Sequence, residues 1–353
     1  MDTSKSVNII GVLGGGQLGM FLCKASKKLN LKTIILSENE DCSASKFCDE
    51  LVLGKFDDLD VIKKFIQKVD VVTIETENVP LETLRFIEEK KNLKPSSKII
   101  EIAQNRIKEK KFLNSLEDIS TTEFMEINYY KDLLKAFDQF GREFFIKSSE
   151  FGYDGKNQFK INEKNIKEFK KFSLNGYVAE KIVDFEKEIS VITFRDYKGN
   201  IEYLPPVHNL HQNNILKSTT FPPNISKEII HKAINYAKKI TFELNLIGVL
   251  AVEMFVQKNG EILINELAPR PHNSGHWSLD CCETNQFENL LRAISEQKVL
   301  APRILSGGIM ENLIGNDYLK KINNKKNIRV YDYYKNIIKK NRKMGHVTHI
   351  KKL

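Results

Sequence analysis

Short apolar runs alternate with helical stretches over residues 7–100, and this rhythm constrains the fold more than any other feature of the chain. The runs, which have the length of buried strands, lie at residues 7–13, 32–36, 51–53, 69–74 and 98–101. Strands that alternate with crossover helices assemble into a parallel sheet covered by those helices. The pattern therefore predicts a Rossmann-like first domain over residues 1–103.

Later in the chain the pattern is typical of an α+β region. Longer strand candidates lie at residues 143–147, 176–181, 187–194, 248–256 and 261–267. Between them, Ser226 is a predicted N-cap for one amphipathic helix with an apolar core face. We expect a second domain with antiparallel sheets over residues 104–300. Strand-like residues 328–334 and 346–350 predict a small third domain over residues 301–353. With 353 residues, the chain is long enough for two or three domains.

The composition is that of an ordinary globular protein, with 41% hydrophobic and 29% charged residues. No apolar stretch reaches the roughly 18 residues that a membrane-spanning helix needs. The N-terminal segment has no basic region followed by a small-residue cleavage site, so we expect no secretion signal and a cytoplasmic protein. Five cysteines form no CxxC pair or metal-ligand spacing, which predicts idle thiols: Cys23, Cys42, Cys48, Cys281 and Cys282.

The formal net charge of +9 raises the question of nucleic-acid binding. The lysines are scattered along the chain, however, and aromatic residues do not interleave with them, so we predict no nucleic-acid partner. A modest positive field favours an enzyme whose substrates are anions.

A glycine-rich loop at residues 14–19 fits GxGxxG directly after a strand and before a helix. Backbone N–H groups and a helix N-terminus at such a loop can hold an anion. Glu38, about 20 residues on, is where the ribose-binding acid of a nicotinamide-dependent protein would lie. The loop alone is equally consistent with a tight turn that needs small residues.

Glu253 and Glu266 interrupt two otherwise apolar strands that are joined by the turn Lys258-Asn259-Gly260. A hairpin about this turn places both carboxylates on one face, opposite each other or one diagonal step apart. A cation would remove their repulsion, and Mg²⁺ prefers oxygen ligands of this kind completed by phosphate. The alternative is a solvated sheet face. Asn265 lies off that face but at a strand end, from which it could still reach a metal or phosphate.

Two loops carry further candidate residues. Residues 265–277, NELAPRPHNSGHW, hold Arg270, which can grip a phosphate or carboxylate through two hydrogen bonds, and Asn273. Residues 151–158, FGYDGKNQ, follow a strand that contains Lys147, and their glycines and lysine are typical of a flap over phosphates. A plain hairpin turn is the other interpretation of this second loop.

Six motifs occur in order along nearly the whole chain: GGGQLGM, VTIETENVP, GYDGKNQ, HNLHQ, NELAPRPHNSGHW and NRKMGH. Together they resemble those of the 5-(carboxyamino)imidazole ribonucleotide synthases, biotin-independent carboxylases of the ATP-grasp superfamily. The resemblance implies a Rossmann-like domain, an ATP-grasp domain and a small C-terminal domain, shorter here than is usual. It also implies a cytoplasmic homodimer that joins bicarbonate to the amine of 5-aminoimidazole ribonucleotide in purine biosynthesis. ATP would be cleaved to ADP and phosphate, with carboxyphosphate as the intermediate and Mg²⁺, or Mn²⁺ in its place, as the metal.

The resemblance also implies roles for individual residues. The nucleotide would contact the following residues: Arg106, Lys147, Gly152, Gly155, Gln158, Glu180, Lys181, Ile182, Val183, Glu188, His211, Asn265 and Glu266. Of these, Glu180 to Val183 would form the strand that receives adenine. The catalytic residues would be Tyr153, Asp154, Lys156 and Arg270, and the metal ligands Glu253 and Glu266. The aminoimidazole ribonucleotide would bind Gln17, Leu18, Glu75, Asn273, Lys335, Arg342 and Lys343.

Three alternatives differ in what they predict. A formate-dependent glycinamide ribonucleotide transformylase shares the metal and phosphate apparatus but would differ around residues 273–276. A nicotinamide oxidoreductase would bind NAD at the glycine-rich loop without a need for Mg·ATP. A nucleic-acid binder would lose affinity steeply with salt. The last two leave the paired glutamates unexplained.

Overall fold

The computed structural model describes residues 7–150, 158–319 and 323–353. Its first sheet is parallel, with strand order β3-β2-β1-β4-β5. The strands are β1 (Ile9–Leu13), β2 (Lys32–Ser37), β3 (Glu50–Leu53), β4 (Val71–Ile74) and β5 (Asn92–Leu93). The helices of this region are α1 (Gln17–Lys28), α2 (Leu59–Ile66), α3 (Leu81–Lys90) and α4 (Ser97–Gln104). The predicted Rossmann-like architecture is confirmed.

The predicted strand at residues 98–101 is wrong, because this segment lies in helix α4 and the fifth strand is β5, six residues earlier. Ile99 and Ile100 are buried and Ile102 packs against the neighbouring core. Three apolar residues within four positions fit the buried face of a helix as well as a strand. The order of the other strands places the chain reversal of the sheet between β1 and β4, where α/β proteins bind ligands.

A second, antiparallel sheet has the strand order β6-β9-β7-β8. Its strands are β6 (Phe124–Ile127), β7 (Glu143–Ser148), β8 (Gln158–Asn162) and β9 (Tyr177–Lys181). Helix α5 (Arg106–Asn114) leads into this region, α6 (Tyr130–Phe140) covers the sheet, and a 3-10 helix spans Ile166–Lys171. We call this four-stranded unit the small sheet.

The third sheet, which we call the large sheet, has the order β14-β13-β10-β11-β12-β15-β17-β16. Its strands are β10 (Phe185–Arg195), β11 (Ile201–Gln212), β12 (Ile215–Phe221), β13 (Gly248–Gln257), β14 (Ile262–Ala268), β15 (Gly307–Ile314), β16 (Ile328–Asp332) and β17 (Lys343–Lys351). Its helices are α7 (Lys227–Glu243), α8 (Ser278–Cys281) and α9 (Gln286–Ile294), with 3-10 helices at Asn273–Gly275 and Gly315–Leu319.

Because β15 pairs with β12, the C-terminal strands extend the large sheet and do not form a sheet of their own. The predicted cap of α7 is confirmed, since the Ser226 hydroxyl accepts a hydrogen bond from the Ile229 N–H. The antiparallel sheets predicted for the second domain are confirmed as well.

One apolar core joins the first domain to the large sheet. Phe21 on α1 contacts Phe287 on α9, with ring centroids 5.1 Å apart, and Tyr333 beyond β16, at 6.1 Å. This packing fixes the N-terminus of α1 against the C-terminal strands, so the glycine-rich loop has a defined position relative to them. In the part of the chain that the structure describes, no helix combines the length and apolar character needed to cross a membrane.

Candidate active site

The glycine-rich loop after β1 holds the side chain of Glu75, which follows β4 at the chain reversal of the sheet. The backbone N–H groups of Gly16 and Gly19 donate to the two Glu75 carboxylate oxygens at 2.8 and 3.0 Å. A β-carbon on Gly16 would lie 2.7 Å from Glu75 Oε1. The glycines therefore make room for an internal carboxylate at the start of α1, and this explains the GxGxxG pattern without a dinucleotide. Glu38 is exposed.

Gln17, the first residue of α1, contacts the C-terminal region. Lys335 Nζ donates to Gln17 Oε1 at 2.9 Å and to the Lys343 carbonyl at 2.8 Å. Three of the residues predicted to bind aminoimidazole ribonucleotide thus converge from distant parts of the chain. Leu18 is buried. Arg342 is half-buried and donates to the Ile337 carbonyl at 3.1 Å.

Arg270 forms a two-pronged ion pair with Glu77, two residues beyond Glu75. Its Nη2 lies 2.9 Å from Glu77 Oε1, and its Nε donates to Oε2. Burial alone would raise the pKa of Glu77, but Arg270 overcomes this and lowers that pKa to about 2. The sequence analysis left Arg270 without a protein partner. Burial alone would lower the pKa of Arg270, but Glu77, with smaller contributions from the charges of Glu266 and Glu75, raises it.

The hairpin of β13 and β14 places Glu253 directly opposite Glu266, as the turn predicted. Burial and the charge of Glu266 raise the pKa of Glu253 to about 7. Arg106 Nη1 lies 3.5 Å from Glu266 Oε2, and His272 Nε2 lies 3.2 Å from Glu253 Oε1. The Glu253 side chain is largely buried and that of Glu266 is half-buried, and two carboxylates that repel each other across a hairpin are suited to a divalent cation. Among the described residues no group of three or more acidic, histidine or cysteine side chains is positioned to hold a metal.

Asn265 lies at an irregularity in this hairpin. The pairing passes from Glu253–Glu266 to Met254–Ile264, so Asn265 is an extra residue on β14. Such a bulge turns side chains away from strict alternation. Asn265 consequently lines the same small cleft as Glu253, together with Glu188, Asn209 and His211. Asn265 therefore shares a cleft with Glu253, and its contact with a metal or phosphate stays a prediction.

Glu188 and His211 face each other from neighbouring strands of the large sheet. His211 Nδ1 is hydrogen-bonded to Glu188 Oε2. Burial lowers the pKa of His211, but the bond to Glu188 and the charges of Glu253 and Glu188 together raise it more, and the net change is upward. Both side chains line the cleft beside Glu253, as expected for contacts to one nucleotide.

Glu180 on β9 is the centre of a buried charge cluster in the small sheet. Its carboxylate lies 2.6 Å from Lys147 Nζ and 3.5 Å from Lys110 Nζ. Burial alone would raise the pKa of Glu180, but Lys110 and Lys147 together lower it to about 2. Lys110 is only 1% exposed, and sequence reasoning missed it, because a lysine on a helix is normally a surface residue.

The neighbouring Glu109 was also not predicted from the sequence to be part of the site. It is buried, and its Oε1 accepts a hydrogen bond from the Leu267 N–H at 2.6 Å. Helix α5 therefore contacts the hairpin of β13 and β14 through Glu109, and it contacts the small sheet through Lys110. The only sequence signal was a run of charged residues, KEKK, in a helix that elsewhere carries apolar positions.

The predicted strand through Glu180 to Val183 is only partly correct. Strand β9 ends at Lys181, and Ile182 and Val183 lie in the short link between the small and large sheets. Neither sheet's pairing includes them, so their backbone groups are available to a ligand. Lys181 itself is exposed and pairs with Glu123.

The flap residues have no structural description. Tyr153, Asp154 and Lys156, with Gly152 and Gly155, lie outside the described residues. Gln158 begins β8 and pairs with Lys147 on β7. The last predicted substrate contact, Asn273, is buried and exchanges two hydrogen bonds with Asn312, at 3.1 and 2.5 Å.

Comparison with known proteins places this geometry in a family. Three family models match in order: the ribonucleotide synthetase preATP-grasp domain over residues 7–104, the ATP-grasp domain over 112–287 and the phosphoribosylaminoimidazole carboxylase C-terminal domain over 308–352. The N5-carboxyaminoimidazole ribonucleotide synthase of Bacillus subtilis is 36% identical over 349 residues, which cover 97% of this chain and 91% of that protein.

Solved structures agree with these sequence matches. A crystal structure of the ADP complex of an N5-carboxyaminoimidazole ribonucleotide synthetase has a TM-score of 0.94 and 34% identity, covering 99% of this chain and 95% of that one. The Aspergillus clavatus synthase in complex with ADP and 5-aminoimidazole ribonucleotide has a TM-score of 0.88 and 30% identity, covering 98% and 94%.

Proposed function

The chain belongs to the N5-carboxyaminoimidazole ribonucleotide synthase family, and from this membership we propose that it carboxylates 5-aminoimidazole ribonucleotide with bicarbonate and ATP in purine biosynthesis. It is an ATP-grasp ligase. The observation that carries the proposal is the continuity of two half-sites. His272 contacts Glu253 of the hairpin, which is suited to metal and phosphate, and Lys335 contacts Gln17 of the substrate loop. Arg270, which Glu77 holds in place, is within electrostatic range of both Glu266 and Glu75.

The nucleotide half-site would form between the small and large sheets. Lys147 and Arg106 would contact phosphate oxygens, because both are cations held in place by buried carboxylates. Ile182 and Val183 would offer backbone groups to adenine, and Glu188 would bind ribose. Asn265, which the bulge turns into the cleft, would reach the phosphates beside Glu253.

Glu253 and Glu266 would hold Mg²⁺, or Mn²⁺ in its place. Bound there, the ion would offset charge on the phosphoryl group during transfer. The raised pKa of Glu253 supports this assignment, since a carboxylate kept partly protonated by its neighbour gains most from a cation. The donor set consists of hard oxygen atoms, as magnesium prefers. No biotin is proposed.

Bicarbonate is a poor electrophile, and phosphorylation of one of its oxygens supplies a leaving group. The γ-phosphoryl group would pass to bicarbonate, and the substrate amine would then displace phosphate from the carboxyl carbon, forming the C–N bond. Arg270 lies between the two half-sites and would steady the anionic groups there. Tyr153, Asp154 and Lys156 are proposed to close over the phosphates and exclude water.

The acceptor half-site would use the Gln17–Lys335 contact and the open end of α1. Lys335 supplies positive charge beside Gln17, which suits a ribonucleotide phosphate, and Arg342 and Lys343 are proposed to add to it. Glu75 would stay in its backbone cradle and shape the loop around the substrate. We also propose a cytoplasmic homodimer, on resemblance to the family.

Carbon-13 NMR tests the proposed reaction. The protein is incubated with labelled bicarbonate, Mg·ATP and 5-aminoimidazole ribonucleotide, and a carbamate carbon signal is expected only in the complete mixture. An Arg270→Lys variant should lose the signal, whereas Arg303→Lys should keep it, because Arg303 is an exposed arginine paired with Glu283. ATP consumption with no labelled product would contradict the proposal.

A further inference from the structure

Asn312 is a buried residue of β15 that the proposed mechanism does not use. It is 1% exposed, and its Nδ2 donates to the Leu216 carbonyl at 2.9 Å. The same nitrogen donates to Asn273 Oδ1 at 2.5 Å, and Asn312 Oδ1 accepts from Asn273 Nδ2 at 3.1 Å. Both hydrogens of the Asn312 amide are therefore used.

These contacts determine the orientation of both amides. A backbone carbonyl can only accept, so the Asn312 atom that faces Leu216 must be the nitrogen. Asn312 Oδ1 must then face a donor, and this donor is Asn273 Nδ2. A flipped Asn273 amide would place oxygen against oxygen and nitrogen against nitrogen. The Leu216 carbonyl thus fixes Asn273 through Asn312.

The phenol of Tyr333 lies close to the Asn273 side chain. Tyr333 is fully buried, and its hydroxyl lies 2.8 Å from His346 Nδ1. Burial raises the pKa of Tyr333, and a hydrogen bond with Asn273 opposes this rise, as a donor to the phenol oxygen would. The Tyr333 ring also lies beneath Lys335, whose Nζ is 5.4 Å from the ring centroid.

One lone pair of Asn273 Oδ1 is not used by Asn312. An amide oxygen accepts two hydrogen bonds, and Asn312 occupies one of them. The open position can receive an N–H or O–H group but cannot pair with a phosphate or carboxylate oxygen. In aminoimidazole ribonucleotide, the amine and the ribose hydroxyls are donors of that kind.

We propose that Asn312 is a positioning residue for the acceptor substrate: it holds the Asn273 amide in one orientation, so that the Asn273 oxygen faces a donor group of the substrate. This inference rests on the proposed function. Asn312 acts through Asn273 and does not itself touch the ligand.

The direct test is Asn312→Asp, which keeps the shape of the side chain but removes both amide hydrogens. An added oxygen would then face the Leu216 carbonyl and Asn273 Oδ1, and Asn273 would lose its orientation. We expect the KM for aminoimidazole ribonucleotide to rise about tenfold, as for the loss of one buried hydrogen bond, while the KM for ATP stays within about twofold. The double variant with Asn273→Ala should be no worse than Asn273→Ala alone, because both act at one contact.

Asn289→Asp is the matched control. Asn289 is fully buried, and its Nδ2 likewise donates to a backbone carbonyl, that of Leu300, at 3.0 Å. The variant should lower Tm without changing the KM for aminoimidazole ribonucleotide. If Asn312→Asp does not fold, Tyr333→Phe replaces it, with Tyr331→Phe as its control, since the Tyr331 hydroxyl bonds Asp280 instead. Tyr333→Phe should raise the same KM by about threefold and Tyr331→Phe should not.

An unchanged KM for aminoimidazole ribonucleotide in Asn312→Asp, or an equal rise for ATP, would overturn the inference and leave the proposed function intact. Additive effects in the double variant would overturn it as well. A wild-type protein whose ATP cleavage does not respond to aminoimidazole ribonucleotide would overturn the proposed function and this inference together.

Discussion

The side chain of Glu75 lies against the α-carbon of Gly14, in the space that a β-carbon would occupy. A Cβ built on Gly14 would overlap Glu75 Cγ and lie 2.7 Å from its Oε1. Gly14 also has a φ of +113°, which other residues rarely adopt. The glycine-rich loop and the Glu75 carboxylate, which is three strands later in the sequence, are therefore one structural unit.

Gly14→Ala should destabilise the protein, because it combines backbone strain with a clash at a buried carboxylate. We expect a loss of about 2–4 kcal/mol in the free energy of unfolding, measured with urea. Gly260→Ala is the control, because Gly260 has a φ of +82° but open space around it. That variant should lose only about 1 kcal/mol. Equal losses would show that Glu75 does not restrict the loop.

Glu266→Gln should abolish most ATP cleavage while leaving the fold intact. The change removes one of two facing carboxylates and with it the charge that a metal needs, so we expect kcat to fall by about 100-fold or more. Glu261→Gln, an exposed change beside the same hairpin, should have little effect. Steady-state ADP release measures both variants, and full activity in Glu266→Gln would refute the metal assignment.

Stability should fall on acidification as Glu180 is protonated. The pKa of Glu180 is lowered from 4.5 to about 2 in the folded protein, so its contribution is complete above about pH 4.5 and is lost as the pH falls towards 2. A shift of this size corresponds to about 3 kcal/mol. Urea unfolding between pH 6 and 3.5 should show a shallower pH dependence in Glu180→Gln than in wild type. Parallel curves would contradict the ion-pair assignment.

Arg270→Lys should impair catalysis more than stability. Lysine keeps the charge but cannot form the two-pronged contact with Glu77, so the cation between the half-sites loses its fixed position. We expect kcat/KM for bicarbonate to fall by about 100-fold, with a modest decrease in Tm. An unchanged kcat/KM would exclude Arg270 from the reaction.

Local patterns in the sequence were sufficient to predict the parallel sheet and the facing pair Glu253 and Glu266. The sheet follows from the alternation of strands and helices, and the pair follows from one short turn. The bulge at Asn265 was not predictable, since a one-residue slip in pairing depends on the partner strand. The strand expected at residues 98–101 is instead part of α4. A run of four residues is too short to distinguish the two-residue period of a strand from the 3.6-residue period of a helix.

Partners distant in the sequence were beyond prediction from residue types. From the sequence, Lys110 is expected to be a surface lysine, but the fold places it beside Glu180. Arg270 is likewise expected to be a free phosphate-binding group, but the fold pairs it with Glu77. Asn312 carries no motif of its own. Its proposed role follows only from its hydrogen bonds with the Leu216 carbonyl and the Asn273 amide.

The most direct test of the proposed function is ADP release from Mg·ATP and bicarbonate, with and without 5-aminoimidazole ribonucleotide. Glycinamide ribonucleotide with formate serves as the control for a related ATP-grasp activity. We predict strong stimulation by aminoimidazole ribonucleotide and none by the control pair. Stimulation by glycinamide ribonucleotide and formate alone, or by neither substrate, would contradict the proposed carboxylation.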